Sequence, residues 1–265
     1  MGDDQQLKWE QSMFEARLAG RVALITGAGR GIGKVFASAL ADRNVKVAIA
    51  DVIETHDAVD SIRSSGGIAR GFKCDITDSA QLKELVNSIE AEWGPIGILI
   101  NNASLFATLK HKPAMSMEPA EWDRVMSVNA RGTLQACQAV VPSMERLGAG
   151  KIVNIASGTV YYGPPGLAHY TASKAAVIAL TRTLSRELGD KNIQVNAINP
   201  GLTESEAIRD DPQFAMARGA TVASRAIKRS MEPEDLVGTL IYLCSGASDF
   251  VTGQTLNVDG GKVNT

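Results

Sequence analysis

The stretch TGAGRGIGK, residues 26–34, carries glycines spaced G-x3-G-x-G between a strand-like run and a helix-like run. Gly27 permits a tight turn, while Gly31 and Gly33 let the backbone approach a pyrophosphate and let the helix pack closely on a sheet. The helix N-terminus then offers free N–H groups and a partial positive charge to the anion. A glycine turn alone is a weak signal, but this context favours a dinucleotide-binding fold.

Short apolar runs rich in β-branched residues alternate with helix-like stretches along the whole chain. The strand-like runs cover residues 21–27, 45–51, 69–75, 96–103, 150–157, 193–201 and 253–261. Strand followed by helix, repeated about six times, predicts an α/β protein. The expected architecture is a single-domain Rossmann fold, in which helices flank a doubly wound parallel sheet of about seven strands.

Composition indicates one domain with a short extension before it. The 265 residues are 45% hydrophobic, which is enough for a sizeable core. Residues 1–18 are acidic and polar and lack an apolar signal segment, so they predict an N-terminal extension before a catalytic domain at 19–265. Residues 202–230 break the strand–helix rhythm and predict a substrate lid, although a plain surface excursion also fits them.

Charge and cysteine content exclude several classes of partner. The net charge is −2 and no basic stripe is present, so a nucleic-acid partner has no electrostatic support. The longest apolar runs are too short to cross a bilayer. Three widely spaced cysteines predict neither a disulfide framework nor a metal site. The sequence therefore predicts a cytoplasmic protein without a metal ion.

Acidic residues follow the second and third strand-like runs. Asp51 stands 18 residues beyond Gly33, where a carboxylate can accept hydrogen bonds from both ribose hydroxyls and repel a 2′-phosphate. This position predicts NAD rather than NADP, although Arg30 could hold a phosphate and Asp51 could instead cap the next segment. Asp75 could contact the adenine amino group or cap the following helix.

Tyr170 and Lys174 are four residues apart and share a face if this stretch is helical. A phenol with a pKa near ~10 is a poor base, and we expect the nearby ammonium to lower that pKa. Tyr170 could then exchange a proton with an alcohol or carbonyl oxygen while hydride moves at carbon. Ser157, thirteen residues before Tyr170, could donate a hydrogen bond to the same oxygen.

These motifs together resemble the short-chain dehydrogenase/reductase family over residues 18–262. The resemblance rests on TGAGRGIG, the acid at 51, CDI, NNAS, SVNARG, the serine of NIAS, YTASK, NPG and VTGQTLNVDGG. It implies a catalytic tetrad in which the asparagine holds a water and the lysine also binds the nicotinamide ribose. The tetrad falls on Asn129, Ser157, Tyr170 and Lys174.

The family pattern extends the expected cofactor site from the glycine loop to the turn after the sixth strand. Its residues are Gly27, Arg30, Gly31, Ile32, Gly33, Asp51, Asp75, Ile76, Asn102, Ala103, Tyr170, Lys174, Pro200, Gly201, Thr203 and Ser205. The chain departs from the pattern at Ser104, where NNAG is usual. The family often has threonine at the position of Ser205, so the hydroxyl of either Thr203 or Ser205 could meet the nicotinamide carboxamide.

Bulky apolar and aromatic side chains follow strand ends four, five and six, and no arginine or lysine cluster stands among them. They predict a small to medium hydrophobic secondary alcohol or its ketone, with an aryl group as one option. The candidate substrate residues are Ser104, Phe106, Tyr161 and Tyr162. These side chains could instead pack the core or a subunit contact.

Three functions compete at this point. An NAD-dependent alcohol dehydrogenase is the leading hypothesis, and the alternative is a 3-oxoacyl-[acyl-carrier-protein] reductase using NADPH, against which Asp51 argues. A non-catalytic NAD sensor is disfavoured because all four tetrad positions are filled. The family resemblance also implies a homotetramer, to which helices expected at 118–147 and 171–189 would contribute.

Overall fold

Parallel strands form the centre of the computed structural model, which describes residues 18–209 and 211–264. The predicted extension at 1–18 lies outside the described residues except for Leu18, which is fully buried in the core. The strands are β1 Val22–Thr26, β2 Lys46–Asp51, β3 Ala69–Lys73, β4 Ile98–Asn101, β5 Gly150–Ile155, β6 Ile193–Pro200 and β7 Thr255–Val258.

Helices connect these strands and cover both faces of the sheet. They are α1 Gly31–Ala41, α2 His56–Ser64, α3 Ser79–Trp93, α4 Pro119–Met126, α5 Thr133–Leu147, α6 Thr159–Tyr162, α7 Ala168–Glu187, α8 Glu206–Arg209, α9 Pro212–Ser224 and α10 Val237–Cys244. Short 3₁₀ turns lie at Ala114–Ser116, Gly189–Lys191, Pro233–Leu236 and Gly246–Ser248.

The sheet order is β3-β2-β1-β4-β5-β6-β7, and every pair of neighbouring strands is parallel. The order reverses between β1 and β4, which is the switch point where open α/β sheets bind ligands beyond the carboxyl ends of the strands. This architecture confirms the predicted doubly wound α/β fold. It also brings the residues after β1, β2, β4, β5, β6 and β7 to one edge of the sheet.

Two apolar layers hold the helices against the sheet, because alternate residues of each strand face opposite sides. In β1, Ala23 and Ile25 pack with α1, α2 and α10, while Val22 and Leu24 pack with α3 and α5. All five β1 residues are buried. A strand buried on both faces reads as a continuous apolar run, which is why these strands were recognisable in the sequence.

A π-helical turn at Ser127–Gly132 separates α4 from α5. The sequence predicted one helix over 118–147, and this interruption is a difference from that prediction. Single π turns are rare and are found mostly at functional sites. The interruption matters here because it holds Asn129, whose side chain is fully buried.

A buried polar chain ties the sheet to α7. The Nδ2 atom of Asn101 on β4 donates to Oδ1 of Asn154 on β5 at 2.9 Å. Asn154 in turn donates through Nδ2 to Oγ1 of Thr181 on α7, also at 2.9 Å. Because buried polar groups without partners are costly, this chain fixes the position of α7 on the sheet.

Within 18–209 and 211–264, no helix is both long enough and apolar enough to cross a membrane. The three cysteines are buried free thiols. Burial raises the pKa of Cys137 and of Cys244 to about 12, so both remain protonated near neutral pH.

Candidate active site

The glycine loop after β1 is pressed against the end of β4. Gly27 has φ +64°, and a Cβ there would lie 2.5 Å from the Cα atom of Ala103. A Cβ on Gly33 would lie 2.5 Å from both Nδ2 of Asn102 and the carbonyl oxygen of Gly27. Only glycine permits this left-handed backbone and this close approach without strain. The loop therefore lies directly before the start of α1, and its role in binding a pyrophosphate stays a prediction.

Asp51 lies against this loop and also caps the turn that follows β2. Its Oδ2 accepts a hydrogen bond from the N–H of Gly29 at 2.9 Å, and its Oδ1 accepts one from the N–H of Ile53 at 3.2 Å. The half-buried carboxylate thus stands at the end of β2, next to the phosphate loop. Each of its oxygens retains further acceptor capacity for a ribose hydroxyl.

Asn102 and Thr26 join the ends of β1 and β4. The Thr26 hydroxyl oxygen accepts from the N–H groups of Asn102 and Ala103, both at 3.1 Å. The amide of Asn102 donates to the carbonyl oxygens of Thr26 at 3.1 Å and Gly27 at 2.7 Å. Sequence analysis missed Thr26, although its position at the end of the first strand could have indicated the role.

Three further residues of the predicted cofactor site lie around its periphery. Arg30 is the N-cap residue of α1, with extended backbone and an exposed side chain. The exposed Asp75 carboxylate accepts from the N–H and the hydroxyl of Thr77, at 2.8 and 2.7 Å. Ile76 is buried with its side chain against Gly132 of the π turn. Asp75 thus has a local turn-forming role, while Asp78 is the residue that caps α3.

Tyr170 and Ser157 meet at the base of the pocket. The Ser157 hydroxyl accepts from the N–H and the hydroxyl of Thr159, at 3.3 and 3.0 Å. Burial raises the pKa of Tyr170 above its usual range, opposed by a hydrogen bond from Ser157, while nearby Tyr162 raises it further. The Tyr170 ring also packs on Phe106, with 4.7 Å between ring centroids. The protein alone therefore holds Tyr170 as a protonated phenol.

Lys174 lies one turn further along α7, and 3% of it is exposed. Its Nζ donates to the carbonyl oxygen of Ile155 at 2.7 Å and lies 5.8 Å from the Tyr170 ring centroid. Burial lowers the pKa of Lys174 to about 7. The sequence-based expectation that Lys174 lowers the pKa of Tyr170 is wrong for the protein alone, because burial dominates the ionisation of both groups.

Replacing Lys174 with methionine should stabilise the cofactor-free protein, and more at pH 6 than at pH 9. Folded Lys174 releases its proton near pH 7, whereas the unfolded chain holds it up to 10.5. Between these values the unfolded state binds more protons, so this lysine reduces stability progressively as the pH falls from 9 to 6. The gain in unfolding free energy should be roughly 2 kcal/mol larger at pH 6.

Urea unfolding of the wild type and Lys174→Met at both pH values measures this difference. Lys228→Met is the control, because Lys228 is exposed and its Nζ donates only to the carbonyl oxygen of Ala223. A gain from Lys174→Met that is the same at both pH values would contradict the buried, titrating lysine.

Asn129 clamps the loop after β4 to α7. Its Oδ1 accepts from the N–H of Leu105 at 2.8 Å, and its Nδ2 donates to the Leu105 carbonyl oxygen at 3.2 Å. Nδ2 also donates to the Ser173 hydroxyl at 3.0 Å. The Asn129 amide therefore holds the loop after β4, which places Phe106 next to Tyr170.

A pocket of about 680 Å³, including its open mouth, connects these groups. Its lining is Ile32, Asn102, Ser104, Phe106, Ile155, Ala156, Ser157, Thr159, Tyr162, Tyr170, Lys174, Pro200, Gly201, Leu202, Thr203, Ser205 and Ile208. The buried Ser104 hydroxyl has no hydrogen-bond partner among the described residues. An orphaned buried hydroxyl in a pocket fits a site that receives a polar ligand.

One of the four predicted substrate residues is not on this pocket. Ser104, Phe106 and Tyr162 line it, but Tyr161 does not and is 39% exposed. Consecutive residues of a helix point in different directions, so α6 presents Tyr162 to the pocket and turns Tyr161 away.

The predicted lid region forms the outer wall of the pocket. Ile208 of α8 lines it, and the buried ring of Phe214 on α9 lies 5.5 Å from the Phe106 ring. Thr203 donates its hydroxyl to the Gly201 carbonyl oxygen at 3.0 Å. Ser205 instead faces the glycine loop, with its Cβ 3.5 Å from the position of a Cβ on Gly31. Both residues line the pocket, and which of the two hydroxyls meets the carboxamide stays a prediction.

Comparison with known proteins identifies the family. Residues 27–262 match the family model described as Enoyl-(Acyl carrier protein) reductase. The chain is 35% identical over 249 residues to 3-oxoacyl-[acyl-carrier-protein] reductase FabG of Thermotoga maritima, covering 93% of this chain and 99% of that protein. The chain belongs to the short-chain dehydrogenase/reductase family.

Other short-chain dehydrogenase/reductase members with different substrates are equally similar. Galactitol 2-dehydrogenase of Agrobacterium fabrum is 38% identical over 256 residues, covering 93% of this chain and 98% of that protein. A gluconate 5-dehydrogenase of Burkholderia cenocepacia, solved with NADP and tartrate, superposes with a TM-score of 0.87 and 36% identity over 96% of this chain and 98% of that chain. The protein is thus an oxidoreductase of the short-chain family that acts on alcohol or ketone groups.

Proposed function

We propose that the protein is an NAD-dependent oxidoreductase that interconverts a secondary alcohol and its ketone. The observation that carries this proposal is the convergence of Tyr170, Ser157 and Lys174 on a pocket that continues to the glycine loop. Apolar walls from Phe106 and Ile208 support a small to medium, largely hydrophobic substrate, aryl groups included.

The residues of the loop and strand ends fit a nicotinamide dinucleotide. Gly27 and Gly33 form a cradle that a Cβ would fill, and the Ser104 hydroxyl is buried without a partner among the described residues. When bound, this cofactor supplies or accepts the hydride. Asp51 would hold its adenosine ribose, and Lys174 its nicotinamide ribose. Asp51 supports NAD because a fixed carboxylate repels a 2′-phosphate.

Tyr170 supplies the proton in this mechanism. During ketone reduction its phenol gives a proton to the carbonyl oxygen, and during alcohol oxidation its oxygen takes that proton back. Ser157 donates a hydrogen bond to the same substrate oxygen and fixes its position. Because the protein alone favours the protonated phenol, alcohol oxidation needs added positive charge near Tyr170. Burial lowers the pKa of Lys174 to about 7 in the protein alone, so Lys174 would supply this charge only if the loaded site holds it protonated.

A second candidate is a 3-oxoacyl-[acyl-carrier-protein] reductase using NADPH. The similarity to the Thermotoga maritima reductase favours it. The carboxylate at the end of β2 opposes it, because Asp51 accepts a hydrogen bond beside the phosphate loop and would repel a 2′-phosphate there.

A cofactor-preference assay tests the proposal. Purified enzyme is offered NAD or NADP with a panel of aliphatic and aromatic secondary alcohols, and Asp51→Ser is measured in parallel. The wild type should prefer NAD, and Asp51→Ser should reduce the NAD:NADP ratio of kcat/KM at least about tenfold, since a charge-assisted hydrogen bond is lost.

Asp60→Ser serves as the control, because Asp60 is an exposed carboxylate on α2, nine residues after Asp51. It should leave the ratio unchanged. Preference of the wild type for NADP would reject NAD as the cofactor and favour the 3-oxoacyl reductase, while absence of turnover across the panel would reject the alcohol dehydrogenase.

Assembly and location are also proposed. Membership of the family supports a homotetramer, and exposed apolar side chains such as Trp122, Leu147 and Phe250 are candidates for burial at its subunit contacts. Three buried unpaired thiols support a cytoplasmic location.

A further inference from the structure

A positively charged cluster lies beyond the end of β7, next to the wall of the active-site pocket. Lys262 places its Nζ 4.0 Å from the centroid of the Tyr162 ring. Tyr162 lines the pocket and is close enough to Tyr170 to influence its pKa. Lys262 therefore contacts a residue of the pocket wall, although it does not itself line the pocket. The sequence analysis considered basic residues only after strands four to six, so it did not consider Lys262, which follows β7.

Arg225 adds a second cation to this cluster. It is 2% exposed, and its NH2 and NH1 atoms donate to the carbonyl oxygens of Leu202 at 2.7 Å and Arg229 at 2.9 Å. NH2 also lies 3.0 Å from the position of a Cβ on Gly201, which lines the pocket. Arg225 thus contributes positive potential at the pocket wall while its NH1 and NH2 groups are engaged by the backbone.

The carboxylate near these two cations, that of Asp259, is hydrogen-bonded to the backbone. The Asp259 carboxylate accepts from the N–H groups of Gly261, Lys262 and Val263 at 2.9 to 3.0 Å. Among the residues that the structure describes, no carboxylate lies within ion-pair distance of Lys262 or Arg225. Burial and then the charge of Arg225 lower the pKa of Lys262, opposed by Asp259. An anion beside Lys262 would relieve this repulsion.

We propose that the substrate carries a carboxylate and that Lys262 binds it beside Tyr162, at the wall of the active-site pocket. A carboxylate fits better than a phosphate because, among the described residues, one ammonium over the Tyr162 ring is without an ion-pair partner, and a phosphate carries more charge than one ammonium balances. This inference rests on the proposed function and narrows it to a hydroxy acid and its oxo acid. The apolar part of the substrate would pack between Phe106 and Ile208.

The test compares acids with their neutral esters. The probes are 3-hydroxybutyrate, 4-hydroxypentanoate and 5-hydroxyhexanoate, each paired with its methyl ester, so that the series also measures the distance between hydroxyl and carboxylate. For at least one pair, the wild type should show a kcat/KM for the acid at least about tenfold above that for the ester, as expected for a hydrogen bond to a charged group. Lys262→Gln should remove that preference, mainly by raising the KM for the acid.

Two variants separate charge from structure. Lys262→Arg keeps the charge and should keep the preference for the acid. Lys83→Gln removes an exposed lysine on α3 and should change nothing. Thermal unfolding of each variant shows whether it folds like the wild type. Esters that are used as well as acids throughout the series, or a preference that survives in Lys262→Gln, would overturn the proposal.

Binding separates this inference from the proposed function. Calorimetric titration of 4-oxopentanoate and its methyl ester into the enzyme with NADH measures the role of Lys262 without turnover. Tighter binding of the acid that is lost in Lys262→Gln supports the site, and equal binding of acid and ester rejects it. If these ligands bind but no probe is oxidised or reduced, the proposed redox function is rejected. The difference in binding between acid and ester still tests the Lys262 site.

Discussion

Tyr170→Phe is expected to lower kcat roughly 10³-fold while leaving the affinity for the dinucleotide nearly unchanged. The phenol is 7% exposed, hydrogen-bonds with Ser157, and is the group in the pocket that can pass a proton to a substrate oxygen. Proton transfer by a positioned side chain contributes about 10² to 10⁴ in rate. Phenylalanine keeps the contact with Phe106, so packing is preserved.

Steady-state kinetics with NAD and the best alcohol of the panel, together with fluorescence titration of NADH, measure both quantities. Tyr161→Phe is the matched control, because Tyr161 is the neighbour of Tyr162 on α6 but does not line the pocket. Its kcat should equal that of the wild type. A Tyr170→Phe enzyme that retains near-full kcat would show that another group moves the proton.

Gly27→Ala is expected to weaken NADH binding at least about 100-fold and to destabilise the fold. The new Cβ would lie 2.5 Å from Cα and 2.8 Å from N of Ala103, and neither backbone atom can move without shifting the end of β4. The left-handed φ of +64° adds roughly 1–2 kcal/mol of strain. The cradle for the pyrophosphate depends on this approach of loop and strand.

Gly20→Ala separates the effect of the left-handed backbone from the effect of the contact with Ala103. Gly20 has φ +78°, but a Cβ there would meet nothing within 4 Å. It should lose only the conformational contribution to stability and should bind NADH like the wild type. Equal losses of NADH affinity in the two variants would rule out the contact with Ala103 as the cause.

Features encoded within a few residues were predictable from the sequence. The glycine loop, Asp51 and the pair Tyr170–Lys174 follow from local spacing, and the strands were recognisable because residues buried on both faces form apolar runs. The doubly wound parallel sheet followed from the alternation of strands and helices, whereas the order of the strands was not predicted.

Features that join distant segments were not predictable. Asn129 contacts Leu105, 24 residues away, only because a π turn interrupts a stretch with uniform helical character. Lys262 reaches Tyr162 because β7 ends at the same edge as β5 and β6, and this depends on the packing of the whole sheet. The ionisation of Tyr170 and Lys174 also depends on burial, which spacing alone does not give.

The widened turn at Ser127–Gly132 makes this segment intolerant of changes in length. A π turn accommodates one residue more than an α-helix needs over the same rise. Deleting a single residue within this turn would let the helix run straight with its flanking turns in place, but the Asn129 amide would then project in another direction and lose its hydrogen bond to Leu105. Substitutions on the exposed side of this helix leave its geometry intact, whereas a one-codon deletion would disconnect the loop after β4 from α7.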